Sequence, residues 1–403
     1  MFSFLRDALR VKPYKYLAAV FVSLLFFGCG GSGGGGGGGD DQRALDSYAI
    51  SFYDAKLDLL DVENIAEGED IDLDDKAAQF AVSWYTAKST TPTGGIFTPQ
   101  SSTNFYAIPS VIEVSNQAEL DDVRDNPSGS YLLVKDIALE VGRDGFAAAE
   151  GWLPIGSSSA SGRFKGIFNG NGHKISGLWI NRTGDNIGLF GYVNAGTIKN
   201  LGVLIDESRG VKGRSSVGAI AGYIYDSSIT NAYSTGNIIA TGTAAGGIAG
   251  EIRHDSRITD SYSKVNIDGR NQVGGITGYA YSDSNVTNSY STGSLIGAGS
   301  VGGIAGAIGL RSTVTNNAAI NQEVNGTSNV NRIVGYLTAS NTVSHNFALY
   351  TTNITPKGTN GDAGTLKSDA DFKTRETYKD DLGWKFGPWE IDGGYPYLYW
   401  EDR

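Results

Sequence analysis

The chain has one cysteine, one methionine, three histidines and nine prolines in 403 residues. A single cysteine excludes an internal disulfide and any multi-cysteine metal site. The histidines, His173, His254 and His345, lie far apart, and no HExxH or paired-histidine spacing occurs. A zinc centre therefore lacks its usual ligand pattern, and no metal or other cofactor is expected. No P-loop is present, the GxSxG match at residues 30–34 falls inside the glycine tract, and chance matches of this kind carry no meaning in so glycine-rich a chain. Charged residues make up only 19% of the chain and leave a formal net charge of −11. An acidic protein disfavours nucleic acid and anionic lipid headgroups as partners.

Glycine is what the chain has in excess, at 57 residues, roughly twice the usual share. Many Gly, Ser, Thr and Asn with little Pro point to short strands joined by tight turns, not to helices.

The N-terminus is basic (Arg6, Arg10, Lys12, Lys15) and then apolar from Tyr16 to Phe27. That run is shorter than the ~20 residues a membrane-spanning helix needs, and residues 1–28 read as a secretory signal. Gly28 and Cys29 follow, then a glycine-rich stretch to residue 45. This arrangement resembles a bacterial lipoprotein signal. The resemblance implies a lipid-modified Cys29 at the mature N-terminus, anchored in the bilayer, and Gly30 in place of Asp implies the outer membrane. Phe26 and Phe27 depart from the usual Leu and small residue. The glycine tract would be a flexible tether.

Residues 46–110 open on the alternating stretch Tyr48-Ala49-Ile50-Ser51-Phe52-Tyr53-Asp54, a period-two strand pattern. An acidic run, Glu67 to Asp75, follows, then Phe80 to Tyr85 and Asn104 to Ala107. The order of these words is similar to the internalin-type B repeat, a small β-grasp-like module. The acidic run lacks DxDxDG spacing and a distal Glu, so it reads as a solvated turn and not a Ca²⁺ loop.

The rest of the chain is organised by repetition. Val217-Gly218-Ala219-Ile220-Ala221-Gly222 recurs at 245–250, 273–278 and 301–306, with divergent copies at 186–191 and 330–335. A second word keeps step: Ile229-Thr230-Asn231-Ala232-Tyr233-Ser234, then 258–263 and 286–291. A constant period near 28 residues predicts an all-β parallel β-helix solenoid in which like residues stack on like. Two interior columns are expected: Leu189, Ile220, Ile248, Ile276, Ile304, Ile333; and Ile198, Ile229, Ile258, Val286, Val314, Val343. Tyr233, Tyr262 and Tyr290 should stack. Glycines at fixed offsets suit positive φ or close backbone approach. These words resemble the GLUG-motif family of bacterial surface proteins and place its repeats at 186–348. Residues 111–185 read as opening rungs. The aromatic-rich segment 349–403 reads as a cap over the last rung.

One turn column carries charge: Asp226, Asp255 and Asp283, flanked by His254 and Arg257 and followed by Arg311. Solvent-facing Asp suits Asx-turn geometry. Carboxylates on one face of a β-helix could alternatively serve a polysaccharide lyase or glycoside hydrolase. A Thr column (Thr230, Thr259, Thr287, Thr315) is single, where ice binding needs several. The expected function is adhesion or extracellular binding of glycans or surface proteins, at the cell surface.

Overall fold

The computed structural model describes six strands within 47–109 and residues 111–338, 340–355 and 361–401. Cys29, the glycine tether and most of the acidic run lie outside the described residues. The chain divides into two compact units, Met1–Ser110 and Val111–Arg403.

In the first unit, Ser47–Tyr53 is the strand expected from the alternating pattern. It pairs antiparallel with Leu59–Ala66 and parallel with Thr103–Pro109, which takes Val82–Thr86 antiparallel on its other edge.

The second unit is the predicted parallel solenoid. One face stacks nine strands in register, running from Val111–Val114 and Ser130–Leu133 through the starts of Ile167–Leu178, Thr197–Ile205 and Ser228–Gly246. It continues through Arg257–Thr259, Asn285–Thr287 and Thr313–Thr315 to Thr342–Ser344. A second face is a separate six-stranded parallel sheet: Phe190–Asn194, Ala221–Tyr225, Ala249–Arg253, Thr277–Tyr281, Ala305–Gly309 and Val334–Leu337. Both expected aliphatic columns are interior and fully buried, apart from the half-buried Val343. At the first end, a short helix, Gln117–Asp122, sends Leu120 into the same core, followed by Val123. Its start is fixed by Asn116, whose side chain accepts from the Glu119 N–H at 3.0 Å, as an N-cap should.

The repeat glycines are there for proximity. A Cβ on Gly278 would lie 2.4 Å from the Ala245 nitrogen of the preceding rung, and one on Gly250 would lie 2.3 Å from that of Val217. A Cβ on Gly274 would lie 2.6 Å from the Gly306 nitrogen of the following rung. Each rung thus locks against both neighbours, backbone to backbone. The last rung tests this account. Asn331 takes the place of Gly302, because no further repeat packs there, and its Nδ2 donates to the Gly335 carbonyl at 3.1 Å. Gly335 is kept, since a Cβ on it would still meet Val301 at 2.6 Å. Left-handed backbone falls instead to other residues. Asn200, Asn231, Asp260, Asn288, Asn316 and His345 form one such column, with φ between 50° and 60°. Asn and Asp tolerate that region best among residues with a side chain.

In this column side-chain amides bond from rung to rung. Asn200 Nδ2 donates to Asn169 Oδ1 at 3.0 Å, and Asn231 Nδ2 to Asn200 Oδ1 at 3.2 Å. Asp260 interrupts the ladder. It accepts from Asn288 Nδ2 at 3.3 Å but has no N–H to offer, and Asn231 Oδ1 is buried without a hydrogen bond. Burial raises the Asp260 carboxyl above its ordinary pKa, and the hydrogen bond from Asn288 offsets this only in part. A carboxyl raised in the folded state favours folding while protonated, and that contribution is lost as pH climbs through its folded pKa. Asp260→Asn supplies the missing donor. It should raise stability by about 1–2 kcal/mol at neutral pH, with the gain shrinking as the medium is acidified toward the ordinary Asp range. Melting curves across that range check both the sign and the slope.

The tyrosines stack as expected, Tyr233 on Tyr262 at 5.2 Å and Tyr262 on Tyr290 at 4.8 Å, with ring planes within 8°. They belong to a second apolar cluster, apart from the solenoid interior, which they share with Phe372, Tyr378, Trp384, Trp389 and Leu398. The C-terminal segment therefore does not simply close the last rung. It runs back along the flank, where Trp384 Nε1 donates to the Asn316 carbonyl at 2.6 Å. Tyr290 donates to the Pro396 carbonyl at 2.5 Å and Tyr262 to Glu401 at 2.6 Å. Trp400 reaches Gly172, where a Cβ would lie 3.2 Å away. A column of exposed tyrosines would be an apolar stripe, and the returning chain covers it.

Candidate functional site

The charged turn column sits where the chain leaves the six-stranded sheet. Asp226, His254, Asp255, Asp283 and Arg311 all have left-handed backbone, with φ from 47° to 63°. This is the turn geometry expected of Asp, extended to His and Arg at the same position. The residue that follows is a buried serine or its equivalent, Ser227, Ser256, Ser284 or Ser312. These hydroxyls bond to the backbone across rungs: Ser227 Oγ accepts from the Gly196 N–H at 3.1 Å, and Ser312 Oγ from the Ser284 N–H at 3.3 Å. The turn is thus part of the stacking machinery.

The structure brings some of the expected residues together and separates others. Arg311 binds Asp283 in a two-pronged pair, with Nε and Nη2 each 2.7 Å from a carboxylate oxygen. Those hydrogen bonds, with the guanidinium charge, lower the Asp283 pKa. The His254 ring lies 4.4 Å from that of Tyr225. Arg257 starts the next strand and is exposed there. The Thr column is in register and half-buried. Among the described residues no group of three or more His, Cys, Asp or Glu is placed to hold a metal.

The most distinctive surface lies beside this column and was not singled out from the sequence. On the six-stranded sheet, alternate residues after each closing glycine point outward in two columns. One runs Tyr192, Tyr223, Glu251, Tyr279, Ala307, Tyr336; the other runs Asn194, Tyr225, Arg253, Tyr281, Gly309. The six tyrosines are half-buried. Tyr192 and Tyr223 have ring centres 4.6 Å apart, and Tyr279 and Tyr281 5.4 Å. The small residues of the fifth rung make room for the rings: a Cβ on Gly309 would lie 3.0 Å from the Tyr281 ring, and Ala307 is covered.

An ion pair between the buried Glu251 and the half-buried Arg253 breaks the aromatic row. Glu251 accepts from the Ser216 hydroxyl at 2.9 Å and from Arg253 Nε. The Arg253 guanidinium in turn sits 5.1 Å from the Tyr281 ring centre, within cation–π range. Arg163 stands 4.7 Å from the ring of Tyr192 at the other end. Burial holds the phenols of Tyr223 and Tyr279 above their ordinary pKa, so both stay protonated through neutral pH. The signal was present in the words Gly222-Tyr223-Ile224-Tyr225 and Gly278-Tyr279-Ala280-Tyr281. It was masked because the same rung carries a second, more regular tyrosine, the one that stacks on the flank.

Two segments match the GLUG motif, residues 213–239 and 269–296. Each GLUG segment runs across one rung, from the strand entering the glycine-locked corner or its equivalent onward. A proposed Gly-rich membrane protein of Evansella cellulosilytica is 39% identical over 116 residues, 28% of this chain and 13% of that protein. Halomucin of Haloquadratum walsbyi is 30% identical over 196 residues, 47% of this chain. The chain therefore spans only 13% and 2% of the length of these relatives. Among solved structures, a proposed immunoglobulin A1 protease from Bacteroides ovatus matches with a TM-score of 0.59 at 23% identity. The match covers 72% of this chain and 92% of that one. At that identity the likeness establishes the shared solenoid fold alone.

Proposed function

We propose that this chain is a cell-surface β-solenoid whose GLUG-repeat body binds an extracellular polymer and mediates attachment. One observation carries this reading: four of the six strands of this sheet present half-buried tyrosines in register, with the Glu251–Arg253 pair on the third and Ala307 and Gly309 on the fifth, beside a turn column that repeats with the fold. A repeated surface of this kind suits multivalent contact, in which weak individual interactions add along the rod. The lipoprotein-like start around Cys29 supports surface anchoring, as does the membrane designation of the Evansella relative.

The alternative, a β-helix polysaccharide lyase or glycoside hydrolase, needs carboxylates free to act as acid, base or nucleophile. In the expected column Asp283 is engaged by Arg311.

A strain lacking the protein should attach less well to its substratum, and Cys29→Ala should release or mislocalise the protein. On intact cells, protease should digest the native form. Unchanged attachment in the deletion strain would overturn the adhesive role, and protection from protease until the envelope is broken would overturn surface display.

A further inference from the structure

We infer that the tyrosine face of the six-stranded sheet is a binding site for a neutral polysaccharide lying along the solenoid axis. This deepens the polymer-binding reading above and rests on it. Three observations select the ligand class.

The first is chemistry. The outward columns hold tyrosine rings, small residues, Asn194 and one Glu–Arg pair, with no outward Leu, Ile or Val from Tyr192 to Gly309. Aromatic rings offer an electron-rich face to the C–H bonds of a sugar, and phenol, carboxylate and guanidinium groups match its hydroxyls. A protein or lipid partner would ask for a broader aliphatic surface.

The second is size. From Tyr192 to Tyr336 is five rung steps. At about 4.8 Å a step, with the two columns about 7 Å apart, the strip is long and one sugar wide. It falls well below the ~800 Å² that each partner buries in a stable protein complex. The rung spacing is close to the advance of one pyranose unit in an extended chain, so the rings on the first, second, fourth and sixth strands can meet sugars in one register, with the Glu251–Arg253 pair facing the unit at the third.

The third is charge. Asp226, Asp255 and Asp283 border the strip, and Asp283 is already neutralised by Arg311. Glu251 is paired with Arg253 and Arg163 stands over Tyr192, so charges on and beside the strip nearly balance; without a basic cluster a uronic or sulfated chain gains little there, and an uncharged one is the partner.

Native electrophoresis of the full-length chain through gels containing a β-glucan, a galactomannan or alginate tests the assignment. At least one neutral polysaccharide should retard the protein, alginate should not, and the Tyr225→Ala/Tyr281→Ala variant should bind about 10-fold more weakly. Tyr350→Ala, at a residue 66% exposed elsewhere, should bind as the native chain does. A readout on the unaltered protein guards against misfolding of the variant. No tryptophan lies on the strip, so ligand should perturb the tyrosine absorption band and leave tryptophan fluorescence in place. Binding retained in the double variant overturns the site and leaves the polymer-binding reading standing. So does a tryptophan shift without a tyrosine one, which would move the ligand to the cavity of about 310 Å³ lined by Arg375, Phe386, Trp389, Glu390 and Tyr399. Retardation by alginate alone overturns the neutral class. No retardation by any of the three overturns the inference, and the attachment assay then decides separately whether adhesion through another partner survives.

Discussion

Gly278→Ala should destabilise the solenoid by about 3 kcal/mol or more, although it adds only a methyl group. Overpacking a protein interior usually costs 1–3 kcal/mol, because neighbours can shift. Here they cannot shift cheaply. The new Cβ would sit 2.4 Å from the Ala245 nitrogen and 2.6 Å from both the Ala244 carbonyl carbon and the Gln272 oxygen. All three are backbone atoms, and Ala245 is itself paired with Val273 in the ladder. Relief requires two rungs to separate. Chemical denaturation should show a lower midpoint. Gly184→Ala is the control, since a Cβ there meets nothing within 4 Å and the change should stay within about 0.5 kcal/mol. If Gly278→Ala is equally mild, the glycines do not lock the rungs. Asn331→Ala should be tolerated far better than Gly302→Ala, because only the latter has a further repeat rung packed against it.

Trp389→Ala should cost about 3–5 kcal/mol, the usual range for truncating a buried aromatic. Trp389 is 2% exposed and packs on Trp384 at 4.8 Å, Tyr290 at 5.9 Å and Tyr262 at 6.3 Å. Its loss removes the centre of the cluster that joins the C-terminal segment to the tyrosine stack. The segment contributes few ladder bonds of its own beyond Thr365–Lys367, so side-chain packing holds it in place. Limited proteolysis should therefore cut Trp389→Ala within 371–401 well before the solenoid body is attacked. Uniform resistance across the chain would show that the segment is held by other contacts.

The two predictions bear on how far this protein can be read from its sequence. The period of the glycine words was enough for the solenoid, since a repeat of constant length with aliphatic residues at constant offsets can bury them only by stacking. Ile220, Ile248, Ile276 and Ile304 are buried where that logic puts them. The sequence left open whether the glycines serve positive φ or close approach. The structure divides the tasks: glycine takes the close approaches, while Asn, Asp, Ser, His and Arg take most of the left-handed turns within the repeats. The sequence also placed the Tyr233, Tyr262 and Tyr290 stack correctly, but as a feature of the rungs alone. Their partners lie about 100 or more residues away in the chain, and no periodicity links them.

The candidate site shows the same limit. Asp226, His254, Asp255, Asp283 and Arg311 drew attention because charge in a turn is conspicuous in one dimension. The tyrosine strip is assembled from pairs two residues apart on strands about 28 residues apart, and its members vary from rung to rung. By itself the sequence determined the all-β class, the repeat length, the two aliphatic columns and the absence of common metal and nucleophile motifs outside the glycine tract, because each follows from local composition and spacing. Only the tertiary structure decided which tyrosines the C-terminal segment covers and which remain on the surface, because that depends on where the chain turns back after its last rung.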